Sequence, residues 1–272
     1  MPVQITIIGL GQIGASIGLA LSQHKNIVSV VGHDIEIAVE RAAQKKGAVE
    51  TTEHNLPKAV KDARIVLLAL PVHQIRETLE FIAPDLMDGT VVVDTAPIKS
   101  EVAKWAKDIL PEGCYYVGLV PTIGPEFLND TATGLDSAKA DLFSKSIFLV
   151  SAPPGAPGEA VELVSDLVKL MDATAMLTDI IESDGLMTSA HLLPQLVSAA
   201  LLNATVNQPG WKDVRKLAGR AYMAATSGLM PQDDPESLQM LSLHNRENTV
   251  RSLDVMISAL HALRDDIEDG KN

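Results

Sequence analysis

The sequence predicts an α/β fold, with a doubly wound parallel sheet in residues 1–178 and an all-α helical domain in residues 179–272. Through the first part, short apolar runs alternate with helical segments, and this order builds a parallel sheet covered by helices on both faces. From Asp179 onward the strand patterns stop and only helical periodicity continues. A chain of 272 residues is long enough for two such domains.

Eight apolar runs have the composition of strands, and six helical segments separate them. The continuous apolar run at 64–70 is typical of a strand that is buried on both faces. A long irregular stretch at 120–145 interrupts the alternation, and long loops at a sheet edge are often functional. The predicted strands are 3–8, 27–33, 48–52, 64–70, 90–93, 115–119, 146–150 and 174–177, and the predicted helices are 15–21, 36–46, 56–61, 74–83, 100–108 and 161–171.

The second part contains helical patterns only. Residues 179–207 predict one long helix with a kink at Pro194, and residues 211–226 predict another. In the last helix, apolar residues recur at alternating spacings of three and four, which favours a narrow helix–helix contact. That contact lies either within one subunit or between two subunits, and we expect a homodimer through the C-terminal helices. The recurring residues are Val250, Leu253, Ile257 and Leu260.

Overall composition excludes several classes of partner. The net charge of −13 argues against a nucleic acid or an anionic membrane surface. Because the chain has no uninterrupted apolar stretch of about 20 residues, we expect no membrane span. The single cysteine, Cys114, argues against a disulfide framework and a cysteine-based metal cluster, and it fits a cytoplasmic location. We predict no metal site.

The first strand leads into a glycine-rich turn that has the spacing G-x-G-x-x-G and opens a helix. Gly9 allows the tight turn, Gly11 lets the backbone approach a pyrophosphate, and Gly14 lets the helix pack closely on the strand. The N-terminus of the helix, at Gln12 and Ile13, offers N–H groups to the phosphates. This context predicts a Rossmann domain that binds a dinucleotide.

An acidic residue, Asp34, follows the third glycine at the spacing of about 20 residues that this fingerprint requires. A carboxylate at this point accepts hydrogen bonds from the ribose hydroxyls and repels a 2′-phosphate. We therefore predict NAD as the cofactor. The neighbouring His33 weakens that preference, so NADP is not excluded.

Further cofactor contacts are expected where other strands end, because ligands of such sheets bind at the carboxyl ends of the strands. Leu70 and Pro71 form one such turn, and Gln74 follows them. Asp94 and Thr95 end the next strand. We predict that these five residues contact the cofactor, with Gln74 on the nicotinamide side.

Taken together, the motifs resemble those of the prephenate/arogenate dehydrogenase family. The resemblance implies a Rossmann domain, a helical domain that joins two subunits, and an active site in the cleft between domains. It also implies an NAD-dependent oxidative decarboxylation of a cyclohexadienol in tyrosine biosynthesis, in which a histidine takes the proton of the ring hydroxyl. Besides the glycine-rich turn, the motifs are Val31–Asp34, Leu70–Val72, Val91–Asp94 with Lys99, Val117-Gly118 with Pro121, Asp184, Leu193-Pro194, Gly210–Asp213 and Asn245–Asn248.

Relative to this family, the chain departs at the positions expected to handle the substrate. The family's general-base histidine falls on Val120, and the serine that supports it falls on Pro97. The arginine expected to bind a substrate carboxylate falls on Lys216, which keeps the charge but not the bidentate geometry. Three further family histidines fall on Ser183, Leu192 and Gln195.

Two residues are therefore the catalytic candidates. His191 is the histidine nearest to the family's positions, one residue out of register, and its alternative role is a packed or capping side chain. Lys216, with Arg215 and Arg220 nearby, is a candidate anion site, and its alternative is a solvated basic face.

Three functions remain open. The first is a prephenate/arogenate-type dehydrogenase in which another group replaces the missing base. The second is a dehydrogenase or reductase of the same fold that acts on a different small anionic substrate. The third is a non-catalytic, dimeric NAD-binding module.

Overall fold

A computed structural model describes residues 2–130, 132–229 and 235–270 of the chain. The chain divides into two compact units, Met1–Ser183 and Asp184–Asn272. The division falls inside a helix, a few residues beyond the boundary that the sequence predicts at 178/179. Each unit is described by itself below.

The first unit contains an eight-stranded sheet, which confirms the predicted α/β class. The strand order is β3-β2-β1-β4-β5-β6-β7-β8, so the chain reverses its direction of winding between the neighbours β1 and β4. This is the order of a Rossmann sheet extended by two strands. The strands are β1 Val3–Ile8, β2 Val28–His33, β3 Thr51–Thr52, β4 Ile65–Leu68, β5 Val91–Asp94, β6 Tyr115–Pro121, β7 Ile147–Ser151 and β8 Thr174–Thr178.

Six helices of the first unit connect these strands, close to the predicted positions. The central strands are buried on both faces, as their continuous apolar runs predict: Ile5, Ile7, Val66 and Leu67 are at most 1% exposed. The helices are α1 Gln12–Leu21, α2 Ile37–Lys46, α3 Leu56–Val60, α4 Val72–Ile82, α5 Ser100–Ile109 and α6 Gly158–Leu170.

One strand departs from the predicted parallel sheet. Strand β7 pairs with β6 in the antiparallel sense, whereas β7 and β8 are parallel. A parallel neighbour requires a crossover connection, usually a helix. The described part of the connection from β6 to β7 holds only two 3₁₀ turns, Pro125–Phe127 and Leu135–Ser137. The sheet is therefore mostly, not wholly, parallel.

The long connection at 122–146 is anchored against the first helices. The Lys46 Nζ donates to the carbonyl oxygens of Leu135 and Asp136, at 2.9 and 3.0 Å. The Lys139 N–H donates to Ser16 Oγ at 3.1 Å. Phe143, near the end of the connection, is fully buried in the core. These contacts place the connection beside the helix that follows the glycine-rich turn.

The second unit is helical over its described residues, with more breaks than the sequence predicts. The segment 179–207 divides into two helices joined by a wide π-type turn, Thr188–Leu192. Pro194 has no N–H to donate to the preceding turn, and this explains the irregularity just before it. The predicted helix 211–226 is broken at Gly219, whose backbone is extended. The helices are α7 Ile180–Met187, α8 Leu193–Val206, α9 Trp211–Leu217, α10 Arg220–Thr226, α11 Pro235–His244 and α12 Arg246–Glu268.

A buried asparagine connects the first and last helices of this unit. The Asn245 Nδ2 donates to the Asp184 carbonyl oxygen at 3.1 Å and to Thr188 Oγ1 at 2.7 Å. Its Oδ1 accepts a hydrogen bond from Asn248 Nδ2 at 2.8 Å. The Asn245–Asn248 motif therefore stabilises the helical unit from inside.

Large apolar side chains remain exposed on helices of the second unit. On α12, the exposed fractions of Val250, Ile257 and Leu260 are 48%, 50% and 56%. The helical stretch Ile180–Val206 is also long and apolar enough to cross a membrane by length and composition alone, and 17% of its most apolar window is buried. Such a helix is weak evidence for a membrane span, since core helices pass the same test. The expectation that no segment spans a membrane stays a prediction.

Candidate active site

The glycine-rich turn brings β1, α1 and β4 into direct backbone contact. Gly9 has φ +92°, and a Cβ added to it would lie 2.4 Å from the Ala69 carbonyl oxygen. A Cβ added to Gly14 would lie 1.9 Å from the Gly9 carbonyl oxygen. Both positions therefore need glycine for the fold itself, before any ligand is considered.

Gly11 differs from these two glycines, because the space beside it is open. Among the described residues outside its own helix and its two chain neighbours, no heavy atom lies within 4 Å of the position that its Cβ would take. Gly11 is the N-cap of α1 and makes no side-chain capping bond, so the first N–H groups of the helix, at Gln12 and Ile13, receive no cap from it. An open approach to helix N–H groups is what a pyrophosphate requires. The turn fits a dinucleotide.

Asp34 lies directly after β2, and its carboxylate is held at the glycine-rich turn. Its Oδ2 accepts the Leu10 N–H at 2.8 Å, and its Oδ1 accepts the Glu36 N–H at 3.0 Å. The side chain is half-buried. These bonds orient the carboxylate beside the turn, and each oxygen keeps acceptor capacity for a ribose hydroxyl.

The predicted contacts after β4 lie at the same edge of the sheet, next to the point where the strand order reverses. Leu70 is half-buried, and the exposed Pro71 is the N-cap of α4. Gln74 is exposed in the first turn of α4, with its Nε2 3.3 Å from His73 Nε2. Gln74 is therefore accessible to a ligand.

The residues after β5 have a different environment. Asp94 is fully buried, and its carboxylate bonds with the Lys99 Nζ at 2.7 Å, the Tyr116 hydroxyl at 2.6 Å and the Ala96 N–H at 2.8 Å. The carboxylate therefore shapes the turn after β5 and has no exposed surface. Thr95 is half-buried and is the more accessible of the two predicted contacts. Lys99, which also has no exposed surface, balances the charge of Asp94.

The two positions of the first unit that the family resemblance assigns to the substrate side have apolar side chains. Val120 lies in β6, pairs with Leu149 and is 3% exposed. Pro97 is half-buried in the turn between Asp94 and Lys99. Neither side chain can accept a proton.

In the second unit, His191 and Gln195 contact each other. His191 lies in the π-type turn, and its Nε2 is 3.1 Å from Gln195 Nε2. Because an amide NH₂ can only donate, the ring Nε2 accepts in this contact. Both side chains are half-buried, whereas Leu192 is 3% exposed. Ser183 is buried, and its Oγ has no hydrogen-bond partner among the described residues.

Lys216 is exposed on the short helix α9. Its Nζ pairs with Asp213 of the same helix at 2.8 Å. Arg215 and Arg220 are also exposed. Within the second unit, Lys216 is therefore exposed and paired with a carboxylate of its own helix, and its predicted role at a substrate carboxylate stays a prediction.

Two family models match the chain, one for each part. The model for the nucleotide-binding domain of prephenate dehydrogenase matches residues 17–177, and the model for its dimerization domain matches residues 181–272. The chain belongs to the prephenate dehydrogenase family. The first match begins after the glycine-rich turn, so the prediction that this turn binds a dinucleotide depends on the geometry of the turn itself.

Curated members of this family have low identity to the chain over almost its full length. The prephenate dehydrogenase of Bacillus subtilis is 26% identical over 266 residues, which is 97% of this chain and 70% of that protein. The cyclohexadienyl dehydrogenase of Zymomonas mobilis is 24% identical over 262 residues, which is 96% of this chain and 87% of that protein. These family members are dehydrogenases by name.

Solved structures of the family share the fold. The prephenate dehydrogenase of Aquifex aeolicus, in complex with hydroxyphenyl propionate and NAD⁺, matches with a TM-score of 0.88 and 19% identity. The match covers 99% of this chain and 92% of that one. The arogenate dehydrogenase of Synechocystis matches with a TM-score of 0.79 and 23% identity, over 98% and 93% of the two chains.

Two glycine substitutions separate the ligand role of the turn from its structural role. We expect Gly11→Ala to fold with nearly unchanged stability and to lose NAD affinity by at least about tenfold, because its Cβ enters open space on the ligand side. Gly14→Ala should instead be strongly destabilised, because its Cβ meets backbone. Calorimetric titration with NAD⁺ and urea unfolding measure the two effects. Unchanged NAD⁺ affinity in Gly11→Ala would contradict the prediction that the glycine-rich turn binds the dinucleotide.

The buried Asp94–Lys99 pair provides a stability test. Lys99→Met leaves the Asp94 carboxylate buried without its cation, and we expect a loss of about 3–5 kcal/mol in the free energy of unfolding. The matched control is Lys104→Met in α5, where the exposed Lys104 pairs with the half-buried Glu101 and the pair contributes at most about 1 kcal/mol. Urea denaturation of both variants measures the difference. Equal losses in the free energy of unfolding would show that the buried Asp94–Lys99 pair contributes no more to stability than the Glu101–Lys104 pair.

Proposed function

We propose that this protein is an NAD-dependent dehydrogenase that acts on prephenate, arogenate or a closely related cyclohexadienol. The observation that carries the proposal is the open glycine-rich turn with Asp34 held beside it, in a chain whose two parts match the family's two domain models. The Aquifex aeolicus relative with NAD⁺ and hydroxyphenyl propionate supports both the cofactor and a small anionic ligand. NADP remains an alternative cofactor.

In this proposal, the chain's own residues bind and orient the cofactor. Gly9, Gly11 and Gly14 bring the start of α1 to the pyrophosphate, and Asp34 accepts the ribose hydroxyls. Leu70, Pro71, Gln74 and Thr95 border the nicotinamide end at the edge of the sheet. A bound NAD would supply the hydride acceptor for an oxidative decarboxylation of the substrate ring.

Proton transfer needs a different residue from the one the family resemblance implies. Val120 cannot accept the proton of the ring hydroxyl, so we propose His191 for this role. Its support is the contact with Gln195, in which the ring Nε2 accepts. A substrate hydroxyl that replaced the Gln195 amide would meet that nitrogen. We propose Lys216 as the cation that attracts the substrate carboxylate, through charge without a bidentate contact.

Activity with purified protein tests this assignment. We expect NADH formation from NAD⁺ and prephenate or arogenate, followed by absorbance, and a fall in kcat of about 10²–10⁴-fold in His191→Gln. The matched control is His244→Gln, an exposed histidine of the same unit, which should keep full activity. Wild-type rates in His191→Gln would assign the proton to another group.

The same assay discriminates the two other functions. Turnover of a different hydroxy or keto acid, without turnover of prephenate or arogenate, favours a same-fold enzyme with another anionic substrate. This alternative has a specific basis in the apolar side chains at Val120 and Pro97. Binding of NAD⁺ without turnover of any of these compounds favours a non-catalytic module.

We further propose a homodimer through the C-terminal helices, in the cytoplasm. Its support is the match to the family's dimerization domain and the exposed apolar residues on one side of α12. We expect Ile257→Asp combined with Leu260→Asp to shift the protein from dimer to monomer, because the two aspartates place charge in the contact. Ala262→Asp, on the opposite side of α12, is the control and should remain dimeric. Light scattering during gel filtration measures the mass, and a wild-type monomer would refute the dimer.

A further inference from the structure

Three potential metal ligands from three separate elements converge beside Asp34. His33 ends β2, Glu40 lies in α2, and His54 lies between β3 and α3. The His54 Nδ1 is 3.2 Å from Glu40 Oε1, and the His33 Nδ1 is 3.6 Å from the same oxygen. Each of the three residues offers one ligand atom, and these atoms lie within 4.8 Å of one another. We propose that His33, Glu40 and His54 bind a divalent transition-metal ion, with Zn²⁺ as the best match.

The distances between the ligand atoms suit such an ion. Zinc binds imidazole nitrogen and carboxylate oxygen at about 2.0–2.2 Å, so neighbouring ligands of a tetrahedral ion lie roughly 3.3–3.6 Å apart. The two separations from Glu40 Oε1 fall close to this range. Two imidazoles and one carboxylate are a donor set that favours zinc over magnesium or calcium, which prefer oxygen ligands.

Burial and charge also favour a cation at this point. The Glu40 side chain is only 4% exposed, and a buried carboxylate requires a compensating positive charge or several hydrogen bonds. Glu40 Oε1 accepts one bond from the Asp34 N–H at 3.1 Å, and its other close partners are the two imidazoles. The carboxylates of Asp34 and Glu53, adjacent to the two histidines in the chain, add negative charge.

The site has an entry path and two competing hydrogen bonds, one of which joins His54 Nδ1 and Glu40 Oε1 at 3.2 Å. The His54 side chain is 50% exposed, so an ion can reach the cluster from solvent, and a fourth ligand position remains for water. The His33 Nδ1 also lies 3.1 Å from the Glu53 carbonyl oxygen. Binding moves the proton of that ring to Nε2 and replaces this hydrogen bond by a metal bond. The proposal is independent of the proposed function, because it is tested by metal binding alone.

Glu40 also accepts the Asp34 N–H. An ion bound by His33 and Glu40 would therefore restrain the backbone at Asp34. It connects β2, α2 and the turn before α3 through one centre. Metal binding is therefore expected to stabilise the folded chain by an amount that grows with the logarithm of the free metal concentration once that concentration exceeds Kd.

Titration of the full chain, without a histidine tag and after removal of metals, tests the site. We expect one Co²⁺ per chain, visible absorption typical of a low-coordinate Co²⁺ site, displacement by Zn²⁺, and a higher melting temperature with Zn²⁺. His54→Gln and Glu40→Gln should each lower the affinity by at least about tenfold. Glu40→Gln keeps an acceptor for the Asp34 N–H, and the half-exposed position of His54 tolerates glutamine, so both variants should fold.

The control is His261→Gln, an exposed histidine in α12, which should bind Co²⁺ like the unmodified chain. Melting curves without metal verify that each variant is folded. Absence of stoichiometric Co²⁺ binding would overturn the proposal, and so would binding that both ligand variants retain unchanged. Either result would show that the cluster is a hydrogen-bonded network only.

Discussion

The backbone contact between α1 and the two central strands is the constraint on which the first unit depends. The Gly14 position lies so close to the Gly9 carbonyl that a single methyl group cannot be placed between them. This contact fixes the start of α1, where Gly11 leaves the approach open. The same helix then anchors the long connection through Ser16 and Lys139. The ligand-facing turn and the segment beside it are thus positioned by one close approach.

Two of the motifs that indicate the family contain buried polar residues that hold neighbouring segments together. Asp94 and Lys99 form a buried ion pair that shapes the turn after β5, with Tyr116 completing the carboxylate's hydrogen bonds. Asn245 plays a comparable part in the helical unit, where it links Asp184 and Thr188 to the last helix. A buried polar group that loses its partner lowers the free energy of unfolding. Each of these groups therefore depends on the partners that satisfy its hydrogen bonds.

The residues predicted to bind the cofactor match the chemistry of their ligand, whereas the residues predicted to face the substrate lack the usual acid/base groups. The glycine-rich turn and Asp34 keep the geometry that a dinucleotide requires. Val120, which the family resemblance predicts to replace the general base, is a buried strand residue whose side chain cannot accept a proton. The proposal that His191 replaces this base moves proton transfer to the helical unit, where the π-type turn before Pro194 holds the ring against Gln195.

The sequence by itself determined the α/β class, the eight strands and the dinucleotide turn, because periodicity and glycine spacing are local properties of the chain. It did not determine the direction of β7, which depends on a connection without a crossover helix, or the breaks at Thr188–Leu192 and Gly219. Only the tertiary structure showed that the Asp94 carboxylate is buried and accepts hydrogen bonds from Lys99 and Tyr116. It alone brought His33, Glu40 and His54 together, since they come from three elements whose meeting depends on how the helices and strands pack.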